Sequence, residues 1–276
     1  MAIGPRFILT SLAALLTVAA TPSYGLEFPT TSDRGAPSRG PALATRGDIC
    51  LDPKLKPSLT SLVPQNAIAT SLGTDPTIPL ALWFYIPETR ATAAELVVFN
   101  EFGEDLYDHI VSLDPQSLAE TGGVISIALP TQENALTFTD DQPHYWEFSL
   151  ICDPQDRNED VIVGGALQQL APDPALLSQL AAVDADDLLG QAELYAAAGA
   201  WQETIALAAA LRPQSPEVWN QLLVSVGLET IGAASLGKRP VSVAETTTPA
   251  ASSQRAVETQ PTLSELLEGV LDRSRQ

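Results

Sequence analysis

Histidine, cysteine, methionine and positive charge are all scarce in this 276-residue chain: two His, two Cys, one Met, and 14 Lys+Arg against 34 Asp+Glu. Two cysteines cannot build a zinc ribbon or an iron–sulfur site. A formal charge of −20 argues against nucleic acid and against an anionic membrane surface as partners. The sequence has no G-x-S-x-G elbow, no G-x-x-x-x-G-K-[ST] loop and no G-x-G-x-x-G fingerprint, so neither a nucleophile elbow nor nucleotide chemistry is supported. What the chain does have is 45% apolar residues, enough to bury a core.

Arg6 precedes an apolar or small stretch over residues 7–20, followed by Ser23 and Gly25. This is the pattern of a secretory signal peptide, assigned to residues 1–25. The stretch falls short of the ~20 residues that span a bilayer, so the chain is not expected to be transmembrane after cleavage. Cleavage leaves 13 basic and 34 acidic residues. Residues 91–211 hold 21 acids and one base, Arg157, whereas residues 26–56 hold five bases and four acids. The early segment is therefore either a basic arm lying on an acidic body or a solvated tail. In an oxidising compartment Cys50 and Cys152 are expected to pair as a disulfide. Closing a loop of roughly 100 residues contributes about 4–5 kcal/mol in the chain-entropy model.

Residues 26–47, rich in Gly, Pro, Ser, Thr and Arg, read as a disordered arm. Residues 48–170 read as strands at 80–86, 95–100, 105–113, 123–129, 145–152 and 161–167, split by Gly, Pro and Asp turns. The expectation is an Ig-like β-sandwich, with Trp146, Phe148, Leu150 and Cys152 pointing inward. In 105–113 the apolar residues are Leu106, Ile110 and Leu113, with polar residues between. Residues 171–232 change to helical period, with Asp184 and Asp186 as caps for the second helix and Gly199 at its end. A linker follows at 233–261, then an amphipathic helix at 262–276. Its stripe of Leu263, Leu266, Leu267, Val270 and Leu271 makes it a candidate partner-docking helix, or one that docks on its own body. The predicted class is α+β, a sandwich followed by a small helical hairpin unit.

The stretch from Leu188 to Pro216 resembles one tetratricopeptide-type repeat, with Ala192, Tyr195 and Pro216 at its small, aromatic and closing positions and Thr204 departing from its usual Ala. A single repeat does not stand alone, so the helices are expected to pack on the sandwich. Further motifs are Thr45-Arg46-Gly47-Asp48 before Cys50, Leu82-Trp83-Phe84-Tyr85-Ile86-Pro87, Tyr145 through Pro154, and the Tyr195…Gly199…Trp201 hairpin. Together they resemble the cyanobacterial domain of unknown function numbered 928 (DUF928) over roughly residues 35–230. The resemblance implies a cyanobacterial exported protein, in the periplasm, outside the cell or in the thylakoid lumen. It supplies no catalytic residues.

Site chemistry is thin. His109 and His144 are read as surface or strand-edge positions, not as members of a triad. Asp156, Asn158 and Asp160 open like a calcium loop, but Val161 and Leu167 stand where Gly and a bidentate Glu belong; a weak calcium site is the only cofactor considered. Trp83, Phe84, Tyr85 and Trp146 are expected in the core, with a sugar-binding face as the alternative. The expected function is a non-enzymatic exported interaction or scaffold protein, its partner an envelope protein or a surface glycan. The alternatives are a carbohydrate-binding module and a hydrolase using acidic residues.

Overall fold

Residues 80–86 are apolar almost without a break, and a strand reads that way when both of its faces are covered. A computed structural model describes residues 25–29, 50–52, 54–64, 68–75, 77–113, 122–130, 136 and 142–236. Its early strands are β1 (Thr60–Ser61), β2 (Ala69–Ser71), β3 (Ala81–Ile86), β4 (Ala93–Phe99) and β5 (Asp105–Ser112). After them come β6 (Gly123–Ala128), β7 (His144–Ile151) and β8 (Val161–Gln169), then helices α1 (Pro174–Leu180), α2 (Leu188–Ala197), α3 (Trp201–Leu211) and α4 (Pro216–Ser225), and last β9 (Ser235–Leu236). The class is mixed α+β: among the described residues, two sheets and four α-helices.

The four-stranded sheet runs β1-β3-β6-β9 and the five-stranded sheet β2-β8-β7-β4-β5. All pairings are antiparallel except β2 with β8 and β6 with β9. The sheets meet through aromatic rings. Phe84 of β3 stacks on Phe148 of β7 at 4.1 Å and meets Trp146 edge-on at 5.5 Å. Trp146, Phe148 and Leu150 are buried, as their alternation with Glu147 predicts. The other face of β3 is covered as well: Trp83 lies 6.3 Å from Trp219 of α4. That double covering explains the unbroken apolar run.

The helices pack onto this body. Trp201 is fully buried, and its indole N–H donates to the Leu62 carbonyl at 2.8 Å. Its backbone N–H donates to Thr70 Oγ1 at 3.2 Å, and the Thr70 hydroxyl donates to the Gly199 carbonyl. Gly199 closes α2 at φ +73, the left-handed conformation that favours glycine. The α2 cap is Asp187, which accepts from the Gly190 N–H at 2.9 Å, not Asp184 or Asp186. It is the acid immediately before Leu188, the only one of the three placed to reach the first turn.

Three further departures have physical reasons. Residues 26–29, read as part of the arm, are held against the helices: Leu26 and Phe28 are buried, Phe28 meets Trp201 edge-on at 5.0 Å, and its N–H donates to Ser225 Oγ at 3.0 Å. Two apolar side chains suffice to fix so short a segment. His144 is no surface residue; it is 5% exposed at the start of β7, an interior strand paired with β8 across from Leu167. Of the apolar residues read in 105–113, Leu113 is buried just past the end of β5, as is Val111 on the same phase, whereas Leu106 and Ile110 face solvent. The hairpin turn and the burial of Val111 and Leu113 set the register, and in that register Leu106 and Ile110 fall on the other face. The candidate docking helix with Leu263, Leu266, Leu267, Val270 and Leu271, residues 1–24 of the signal segment and most of the arm lie outside the described residues. No helix among the described residues is long and apolar enough to cross a membrane.

Candidate functional site

Between Thr92 and Leu113 the chain has Glu95, Glu101, Glu104, Asp105 and Asp108 and no Lys or Arg. Folding turns this stretch into the β4–β5 hairpin at the outer edge of the five-stranded sheet. The tip is tied tightly. Asn100 Oδ1 accepts from the N–H groups of Phe102 and Glu104, both at 3.0 Å, and Asn100 Nδ2 donates to Glu104 Oε2 at 2.7 Å. The Gly103 N–H donates to the Asn100 carbonyl at 3.0 Å with φ +79 at Gly103. Asn as acceptor and Gly in the left-handed region are the turn chemistry such a corner requires.

That turn holds Phe102 in water, 80% exposed. Leu106, 43% exposed, is the extra residue where the register shifts between Val98↔Tyr107 and Phe99↔Asp105. Ile110, 59% exposed, lies across from Glu95. The acids Glu101, Glu104, Asp105 and Asp108 alternate with these apolar residues along the chain and are exposed. The nearest described cation is already engaged. Arg157 donates to Glu95 Oε2 at 2.7 Å and to Asp160 Oδ2, which holds the guanidinium more firmly protonated than usual, the Glu95 hydrogen bond leading. The Asp108 carboxyl is raised above the ordinary range by desolvation first, then by Glu95 and Asp105. On the core side of the same strand, Tyr107 is pushed up to about 12 by desolvation and by Asp108, and its ring stacks 5.9 Å from His109.

The residues singled out from the sequence fall elsewhere. Cys50 and Cys152 form a disulfide with Cα atoms 5.2 Å apart, tying the chain before β1 to the end of β7. Asp156, Asn158 and Asp160 share one turn, but Asp156 accepts from Asn158 N and Nδ2, and Asp160 accepts from Cys152 N and Arg157. No group of three or more His, Cys, Asp or Glu able to hold a metal occurs among the described residues. Phe84, Tyr85 and Trp146 are buried, and Trp83 is half-buried against α4. His109 lies half-buried on β5 and far along the chain from His144.

Composition and motif reading passed over the hairpin because it carries no reactive signature. Its signal in the sequence was an aromatic residue at a turn flanked by four acids. A second polar feature, at the foot of the helices, was also unread. Glu203 is 3% exposed, and its Oε1 accepts from Ser71 Oγ at 2.7 Å, Leu72 N at 2.8 Å and Gly73 N at 3.0 Å. Tyr195 Oη lies 3.1 Å from Thr74 Oγ1 beside it. This cluster clamps α3 to the end of β2.

Comparison with curated proteins returned no match. The family model described as Domain of Unknown Function (DUF928) matches residues 35–236, a span that takes in the nine strands and four α-helices found among the described residues. The chain therefore belongs to the DUF928 family.

Proposed function

We propose that this protein is an exported, non-enzymatic interaction protein of the cyanobacterial envelope. In this reading an Ig-like body and a tetratricopeptide-like helical hairpin form a rigid scaffold that displays a docking surface. One observation carries it: Phe102, Leu106 and Ile110 stand exposed one after another along the tightly tied β4–β5 hairpin at the sheet edge. Scattered surface apolar residues need no explanation, but three in succession along an ordered sheet edge offer alternate apolar contacts to an extended partner. Export is supported by the Cys50–Cys152 cross-link, since such bonds persist in oxidising compartments. The residue 1–25 segment is the signal peptide in this account, and the periplasm, the extracellular space or the thylakoid lumen is the destination. The turn from Asp156 to Asp160 acts as a structural brace rather than a calcium loop.

Cell fractionation followed by affinity capture tests the reading. The full-length chain, expressed in its host, is expected in the exported fraction, retaining a defined partner at physiological salt. Recovery in the cytosol with free thiols, or turnover on a hydrolase panel abolished by a single carboxylate substitution, would refute it. A surface glycan is the second reading, resting on Phe99 stacked 5.9 Å from Tyr145 on the outer sheet face. Glycan-array binding lost in Tyr145→Ala would favour it.

A further inference from the structure

The β5 strand ends its sheet, and its backbone shows which groups are left over. The Leu113 N–H donates to the Thr92 carbonyl at 2.9 Å. In an antiparallel pair, residues that bond the neighbour alternate with residues that turn away from it. The pairs Ala94↔Val111, Leu96↔His109 and Val98↔Tyr107 continue the bonded phase. Asp108, Ile110 and Ser112 therefore point their N–H and C=O groups away from β4, and no strand among the described residues pairs with that side. The same three residues carry their side chains on the outer, solvent-facing surface.

We infer that β5 is the acceptor edge for an added strand, and that its ligand is an extended segment of another protein with the pattern apolar–x–basic–x–apolar. This rests on the interaction reading above and names the partner's chemistry. Strand addition supplies main-chain hydrogen bonds, and alternate side chains supply the selectivity. An incoming residue opposite Asp108 meets that exposed carboxylate, with Asp105 further along the strand; a Lys or Arg there pairs with an acid that has no ion pair of its own, since the Arg157 guanidinium is taken up by Glu95 and Asp160. The incoming residues on either side meet Ile110 and Leu106, and both call for an apolar side chain. The stretch from Thr92 to Leu113 holds no cation of its own, so the complementary charge comes from the ligand.

A second copy of the chain is a poorer occupant. A two-fold pairing of β5 with itself centred on Asp108 sets the two Asp108 carboxylates opposite each other, and like charges directly across a pair are destabilising; centred on Ile110 it sets Asp108 against Ser112 and leaves both carboxylates without a cation. Glu101, Glu104 and Asp105 add to that repulsion. Edge strands commonly carry charge to prevent self-association; here the charge discourages the copy while attracting a basic strand.

The test uses the full chain and synthetic peptides. A nine-residue peptide built on Val-Thr-Lys-Thr-Val is compared with one carrying Glu in place of Lys. Binding is read by fluorescence anisotropy, and strand addition by hydrogen exchange at Asp108, Ile110 and Ser112. The lysine peptide is expected to bind at least tenfold more tightly than the glutamate peptide, to lose affinity with salt, and to slow exchange at those three amides. Asp108→Lys is expected to reverse the preference. Ile110→Pro removes one outward N–H that β4 does not use, so it should weaken binding at least tenfold with circular dichroism unchanged, while Ile110→Val, which keeps both the N–H and an apolar side chain, retains binding. Equal affinity for the two peptides, or undiminished binding by both Asp108→Lys and Ile110→Pro, overturns the inference. Slow exchange of the three amides in the dilute free protein means the chain's own residues fill the edge, and a dimer by sedimentation means a second copy does; either also overturns it. An envelope partner captured equally by wild type and Ile110→Pro leaves the interaction reading standing and removes only the edge assignment.

Discussion

Glu203 joins two parts of the fold through one oxygen atom, which takes a hydroxyl and two backbone N–H groups at the end of β2. Glu203→Gln keeps an acceptor and loses the charge assistance, an expected cost of about 1–2 kcal/mol; Glu203→Ala strands the buried Ser71 hydroxyl and Leu72 N–H and costs about 2–3 kcal/mol. Urea denaturation of the two variants measures the difference. His144 acts through pH. Its imidazole pKa lies below 6.5, with burial lowering it and a backbone hydrogen bond at Gln142 opposing. The folded chain thus holds the neutral ring, so the unfolded chain binds more protons and stability falls as pH drops below about 6.5. A plot of unfolding free energy against pH between 7 and 5 should be shallower for His144→Gln than for the wild type.

At the scale of elements, the β4–β5 hairpin carries charge at some cost to its own stability. Asp108 has its carboxyl pKa raised by desolvation and by Glu95 and Asp105. A raised acid binds its proton more firmly in the folded state, so stability declines as pH rises through the carboxylate range and stays lower above it. Asp108→Asn is expected to melt at a higher temperature than the wild type at pH 7, with the gap closing toward pH 4. A gap of the same size at both pH values would mean that the charge is not responsible. Most strands were legible beforehand because β4 and β7 alternate and β3 is covered on both faces. β5 was legible as a strand but not as a surface: Leu106 and Ile110 have the spacing of a buried stripe, and only the pairing with β4 turns them outward.

At the scale of the molecule, one covalent tie closes 102 residues of sequence separation. Reduction is expected to lower stability by about 4–5 kcal/mol on the chain-entropy model; matched urea curves for oxidised protein and for the double variant Cys50→Ala/Cys152→Ala measure this. An unchanged midpoint would mean the non-covalent core alone positions both ends. That core is continuous across both sheets and the helices, running from Phe148 through Phe84 to Trp201 and Trp219. It also reaches back to Leu26 and Phe28, a contact that composition alone assigned to an arm.

By itself the sequence determined the class, the strand and helix periods and the paired cysteines, because each is carried by residue type and local spacing. Long-range placement decided the rest. Whether Phe102, Leu106 and Ile110 face core or water, whether His144 lies inside, and which acid meets which N–H depend on neighbours distant in the chain, and no local period encodes those neighbours.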